Sequence, residues 1–187
     1  MEEIKKYLKK VKQSKLMQSE LIVIVFSIIL GTVMHFIYQL TGKNKIIGSI
    51  VPVNESVWEH LKMVFFPMLI MAAVQYPFVK NIVNNYLEAK TIGIFTAMSF
   101  VVVTFFTYSG ILGTNLLIID VLIFLISIIL GEYVAYKFIK RKSESDTKSK
   151  VLASITLVFF VFAFIIFTYC APEVNLFRDF ITGRYGI

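Results

Sequence analysis

The sequence predicts an all-helical bundle of five membrane-spanning helices, with the N-terminus inside and the C-terminus outside. Of the 187 residues, 57% are hydrophobic and only 17% are charged, whereas soluble domains carry about 45–50% and about 25%. The mean hydropathy is +0.77. Five apolar segments are each close to the length of about 20 residues that a spanning helix needs. These values exclude a disordered chain and argue against a soluble globular enzyme.

The chain divides into three regions. Residues 1–18 form a polar, lysine-rich cytoplasmic tail whose apolar residues recur at helical spacing. This tail is either a basic amphipathic helix on an anionic leaflet or a solvated extension that follows the topology rule. Residues 19–171 form the transmembrane bundle, and residues 172–187 form an extracytoplasmic tail.

The first predicted span is too long for a signal-peptide core, and no small-residue cleavage site follows it. Two prolines inside the second span, Pro67 and Pro77, predict a kink because each removes a backbone donor. Residues 46–53 are apolar but too short to cross, so they either re-enter the membrane or lie at its interface. The five spans are about Glu20–Leu40, Leu61–Val79, Thr91–Leu112, Leu116–Phe138 and Val151–Ala171.

The distribution of positive charge predicts the orientation. Of the 19 Lys and Arg residues, 14 fall on the side of the N-terminus and 5 on the opposite side. Such an excess marks the cytoplasmic side of a membrane protein. The net charge of +7 is therefore explained without a nucleic-acid partner. The single cysteine, Cys170, excludes an intrachain disulfide.

Polar residues of three spans gather near the predicted outer surface. His35 lies near the outer end of the first span, and Asp120 lies near the outer start of the fourth. Glu55, Glu59 and His60 lie at the outer start of the second span. Ionisable groups in spans are costly and usually face the bundle interior or a water-filled cavity. We therefore expect one polar cavity that opens outward.

The chemistry of these side chains suits a divalent metal, the one cofactor the pattern suggests. His35, Glu55 and Glu59 are the predicted metal ligands, since imidazole and carboxylate groups bind divalent cations. Glu59, His60 and Asp120 are the predicted catalytic groups, because carboxylates and imidazoles exchange protons with a substrate or a metal-bound water.

Each of these residues also has a structural interpretation. Asn54 would cap the second span, and the carboxylates after it would complement the helix dipole. Trp58 would anchor the outer headgroup level. His35 would bond to a neighbouring helix, Asp120 would form a salt bridge, and Glu132 would pair with the inner basic loop.

Two sequence blocks resemble a known family. The block PVNESVWEHLKMVFFP, residues 52–67, resembles the signature of an uncharacterised family of small bacterial integral-membrane proteins. The C-terminal LFRDFITGRYGI looks like the same family's closing motif, TGxYGI, with Phe180 at a position where that family carries proline. The resemblance implies a multi-pass protein of the bacterial cytoplasmic membrane, and it implies no reaction.

The sequence is compatible with two classes of function, of which only the first would make the protein an enzyme. One is a metal-dependent, membrane-embedded hydrolase or transferase that acts on lipid. The other is a transport or substrate-capture subunit for a small solute or ion, for which a kinked helix beside a broken segment is suited. The HExxH, Walker, GxSxG and GxGxxG motifs are absent. The expected partners are membrane lipids, a lipid or small-molecule substrate, and membrane partner subunits.

Overall fold

A computed structural model describes residues 2–141 and 145–187. The predicted tail and inner basic loop extend into Met1 and residues 142–144, which lie outside the described residues. The regular structure of the described residues is helical, apart from one isolated bridge between Arg178 and Tyr185. Its elements are α1 (Glu2–Leu40), α2 (Lys45–Gly48), α3 (Val57–Val79), α4 (Tyr86–Leu112), α5 (Leu117–Arg141), α6 (Thr147–Tyr169) and a 3₁₀ turn (Asn175–Phe177).

Five of these helices, α1 and α3 to α6, are long and apolar enough to cross a membrane. The prediction of an all-helical chain with five candidate spans is therefore confirmed. The basic tail is not a separate helix, since α1 runs without a break from Glu2 to Leu40. The candidate span within α1 ends at Leu40, where the sequence predicted the end of the first span. Residues 46–53 form the short helix α2 and a non-helical loop rather than a further span.

Contacts between helices define two ends of the bundle. At one end, the end of α1 meets the start of α3, and Tyr108 near the end of α4 meets Asp120 near the start of α5. The C-terminal tail lies here too, so we name this end of the bundle the tail end. At the opposite end, which we name the N-terminal end, Lys90 of α4 meets Glu20 of α1 and Glu132 of α5. The charge distribution predicts that the tail end faces outward.

The start of α3 is held by a different residue from the one predicted. Ser56 is the N-cap, and its hydroxyl accepts a hydrogen bond from the backbone N–H of Glu59 at 3.3 Å. Asn54 instead accepts from the backbone N–H of Ser56 and donates its amide to the carbonyl of Gly186 at 3.1 Å. The prediction that Asn54 caps α3 is therefore wrong, because its side chain connects the loop to the C-terminal tail.

Trp58 is buried in an aromatic cluster between α3, α6 and the tail. Its ring centroid lies 4.7 Å from that of Phe164, 5.5 Å from Phe167 and 4.9 Å from Phe177. Only 7% of the residue is exposed. The predicted role of Trp58 as an interface anchor is therefore replaced by a packing role. The cluster fixes the tail end of α6 against α3, beside the loop that carries Glu55.

Candidate functional site

His35, Glu55 and His60 come together at the tail end of the bundle. His35 lies near the end of α1, Glu55 lies in the loop before α3, and His60 lies in the first turns of α3. Each residue offers one potential ligand atom, and the three atoms lie within 4.8 Å of one another. The two imidazole rings have centroids 5.4 Å apart. All three residues are partly exposed, so a small ligand can reach them.

The backbone of α3 orients the ring of His60. Its Nδ1 lies 2.9 Å from the carbonyl oxygen of Ser56. Because a carbonyl only accepts, Nδ1 carries the proton in this contact. Nε2 then faces the carboxylate of Glu55, whose Oε2 lies 3.3 Å away. Metal-binding histidines are commonly oriented by such a bond from the second ring nitrogen to a backbone carbonyl.

The ring of His35 contains an unsatisfied polar atom. Its Nδ1 is buried and has no hydrogen-bond partner among the residues that the structure describes. A buried polar atom without a partner costs about 1–3 kcal/mol, and such atoms in native proteins call for an explanation. A bound ligand at this point would satisfy the ring nitrogen.

Glu55 is held in its ionised form. The hydrogen bond from Nε2 of the protonated His60 ring is the main cause that lowers the pKa of the Glu55 carboxyl below its ordinary value, against the opposing effect of partial burial. A metal bound at Nε2 would displace that proton. A carboxylate that is ionised at neutral pH is a competent oxygen ligand for a cation. Glu55 and the two imidazoles therefore form a mixed nitrogen and oxygen donor set.

Asp120 faces the same cavity from α5. Tyr108 donates its hydroxyl to one carboxylate oxygen, and the amide of Asn115 donates to the other at 3.1 Å. The partners found within the described residues are neutral, and the predicted salt bridge is not among them. Neutral donors therefore hold the Asp120 carboxylate in place on the wall of the cavity.

The cavity has a volume of about 300 Å³ and lies between α1, α3, α4, α5 and the C-terminal tail. Its polar lining consists of His35, Glu55, His60, Asn115 and Asp120. Its apolar walls include Met63, Phe105, Phe124, Phe180 and Ile181. A concave site with mostly apolar walls and a few convergent polar groups is typical of a ligand-binding pocket.

Glu59 lies elsewhere, although the sequence assigned it to both the metal and the catalysis. Its carboxylate accepts hydrogen bonds from Lys62 at 2.7 Å, from the backbone of Val53 at 3.0 Å and from Thr168 at 3.1 Å. The residue is 1% exposed. Successive residues of an α-helix point about 100° apart. The helix therefore presents His60 to the cavity and Glu59 to the interior.

A second cluster of charges lies at the N-terminal end, and sequence reasoning found only one of its members. The ammonium of Lys90 lies 2.6 Å from a carboxylate oxygen of Glu20 and 2.6 Å from one of Glu132. Glu132 therefore pairs with Lys90 rather than with the basic loop. A signal was present in the sequence, because Glu20 and Lys90 border the apolar segments from which charges are usually excluded.

The five apolar helices and the polar cavity at their tail end define a multi-pass helical membrane protein with a candidate ligand site. A family model described as a family of unknown function, DUF6512, matches residues 6–187. The chain therefore belongs to that family. No curated protein and no solved structure matches the chain.

Proposed function

We propose that this protein is a metal-dependent, membrane-embedded hydrolase that acts on a lipid at the tail end of the bundle. The observation that carries the proposal is the placement of ligand atoms from His35, Glu55 and His60 within 4.8 Å of one another. His60 takes the place in the ligand set that the sequence assigned to Glu59. The unsatisfied Nδ1 of His35 and the backbone-oriented ring of His60 support the same assignment.

Two imidazoles and one carboxylate favour Zn²⁺. This donor set recurs in catalytic zinc sites, where the fourth position holds water or substrate. Zinc lowers the pKa of bound water to about 7 and polarises a carbonyl or phosphoryl group. Three protein ligands would leave the fourth position of a zinc ion to water or substrate from the cavity that they line.

Asp120 is the proposed general base. Its carboxylate lines the cavity that contains the proposed ligands, and Tyr108 and Asn115 hold it in one orientation. A carboxylate in that position can take a proton from an attacking water, as general-base catalysis requires.

The walls of the cavity favour a lipid substrate. Phe105, Phe124, Phe180 and Ile181 provide apolar surface beside the polar groups, as a substrate with an acyl chain next to a hydrolysable ester would need. The excess of positive charge at the N-terminal end supports an orientation in which the site faces away from the cytoplasm. We place the protein in a bacterial cytoplasmic membrane.

The first test is metal content. The full-length protein in detergent, loaded with Zn²⁺ and desalted, should retain about one equivalent by elemental analysis. His35→Ala, Glu55→Gln and His60→Ala should each lose it. Glu173→Gln removes an exposed carboxylate from the C-terminal tail and should retain it. A wild-type protein that retains no transition metal would overturn the metal site.

The second test separates catalysis from capture. Asp120→Asn should retain zinc but lose hydrolysis of lipid esters and phosphoesters presented in mixed micelles. A zinc-loaded wild type that hydrolyses none of these substrates would overturn the hydrolase. A zinc-loaded protein that binds a small solute without converting it would instead support a substrate-capture subunit. The observation that favours this second function is Pro67 inside α3, because a proline leaves the carbonyl four residues earlier, that of the cavity residue Met63, without its helical donor.

A further inference from the structure

Helices α3 and α6 pack together at the tail end and separate toward the N-terminal end. At the tail end the rings of Trp58 and Phe164 have centroids 4.7 Å apart, and Phe65 and Phe160 lie 6.1 Å apart. Beyond Leu69 a cavity of about 800 Å³ opens between the two helices, with α4 as its floor. We name it the α3–α6 groove. It lies at the opposite end from the proposed metal site and shares none of that site's residues.

The polarity of the groove changes along its length. Its deeper part is lined by Leu69, Ala73, Ile94 and Leu157, all within predicted spans. Its mouth contains Lys80 and Lys150, which approach from opposite walls. Lys80 is the C-cap of α3, and Lys150 lies in the first turn of α6. Both lysines are exposed, and neither takes part in a salt bridge within the described part of the chain.

The acidic groups that the structure describes near this groove are already engaged. Glu20 and Glu132 pair with Lys90, Glu88 accepts a hydrogen bond from Ser145, and Asp146 caps α6. None of these four acidic residues lines the groove. Within the described ranges 2–141 and 145–187, the charge presented at its mouth is therefore positive.

We propose that the α3–α6 groove binds one anionic phospholipid, with an acyl chain on the apolar floor and the phosphate between Lys80 and Lys150. An unfilled gap at hydrocarbon depth forfeits dispersion contacts, and water is a poor filler because the deep wall offers it few polar partners. A lipid chain is the molecule that is abundant there. Basic pockets between spanning helices on the cytoplasmic side are suited to acidic headgroups, and the lysines select such a headgroup over a zwitterionic one.

The headgroup is tested by native mass spectrometry of the full-length protein titrated with phosphatidylglycerol or phosphatidylcholine. The wild type should prefer phosphatidylglycerol. Lys80→Ala/Lys150→Ala should lose about thirtyfold in affinity for it, since each lysine near an anionic lipid surface contributes roughly 1 kcal/mol and 1.4 kcal/mol is tenfold. Lys137→Ala/Lys140→Ala removes the same charge at the same end, but from outside the groove. This control should bind like the wild type.

The acyl chain is tested separately with Ala73→Phe, which adds a ring to the α3 wall of the apolar part of the groove and leaves both lysines in place. This variant should lose binding of phosphatidylglycerol, and its thermal unfolding should show that the fold is retained. Excess inorganic phosphate should not displace the lipid. Equal losses in the two lysine pairs, unchanged binding in Ala73→Phe, or displacement by phosphate would each overturn the proposal. None of these outcomes depends on zinc or on hydrolysis.

Discussion

Glu59 and Lys62 form a buried ion pair within α3, with 2.7 Å between the carboxylate oxygen and Nζ. The ammonium also donates to the carbonyls of Gly48 at 2.8 Å and Val51 at 3.3 Å, and to the hydroxyl of Thr168 at 2.5 Å. The pair therefore joins α3 to the loop after α2 and to α6. Since His60 lies on the same turn of α3, this network also supports the position of the proposed metal site.

Removal of one partner of this pair should destabilise the protein strongly. Lys62→Met leaves the Glu59 carboxylate buried without its counter-charge, and breaking a buried pair in this way typically costs 3–5 kcal/mol. Lys62→Met/Glu59→Leu removes both charges and should regain most of that loss. Reversible unfolding in mixed micelles measures both variants. A double variant no more stable than Lys62→Met would contradict the pairing.

Two glycines of α4 should respond to alanine in opposite directions. A Cβ at Gly93 would lie 2.6 Å from the backbone oxygen of Gly131, so Gly93→Ala must push α4 and α5 apart. Overpacking of this kind costs about 1–3 kcal/mol. Gly110→Ala meets no atom within 4 Å among the described residues and should stabilise the helix by up to about 1 kcal/mol. Thermal unfolding of the two variants gives the comparison, and equal effects would contradict the close packing of α4 on α5.

The contact between Glu55 and His60 should make stability depend on pH on the acid side. The pKa of Glu55 is lowered in the folded protein, so its contribution is fully present above the unfolded value of about 4.3. It is lost as the pH falls through the lower folded pKa. In metal-free protein, the stability difference between wild type and Glu55→Gln should therefore shrink as the pH falls from about 5 to 3, a range in which an ordinary imidazole stays protonated. A difference that is independent of pH down to pH 3 would show that the carboxylate is not held by this contact.

The predicted orientation can be tested by cysteine labelling in intact cells. In a Cys170→Ser background, a membrane-impermeant maleimide should modify Glu173→Cys and spare Lys148→Cys. Both residues are exposed and lie at opposite ends of the bundle. Glu173 is a better labelling position than Gly186 of the same tail. A cysteine at position 186 would clash, because its Cβ would lie 2.8 Å from the carbonyl oxygen of Thr168. The reverse labelling pattern would place the proposed metal site on the cytoplasmic face.

The five helices could be read from the chain because hydropathy and length are local properties. A run of about 20 apolar residues is a candidate spanning helix whatever its neighbours are. The same reasoning predicted one end of the bundle as the location of His35, Glu55, His60 and Asp120, since membrane depth follows from position along a span. Depth alone could not say which of these side chains meet.

The meeting of side chains depends on rotation about each helix axis, which the packing of neighbouring helices sets. Glu59 and His60 lie at the same depth, yet the side chain of Glu59 is buried in the interior and that of His60 lines the cavity. Tryptophan is a residue type that often anchors a membrane interface, but α6 and the tail bury the side chain of Trp58. Lys90 borders a loop in the sequence, and only the approach of α1 and α5 gives it two carboxylates. Distant segments supply these partners, so the local pattern of residues determined the spans, while the tertiary structure decided the pairings and the composition of the site.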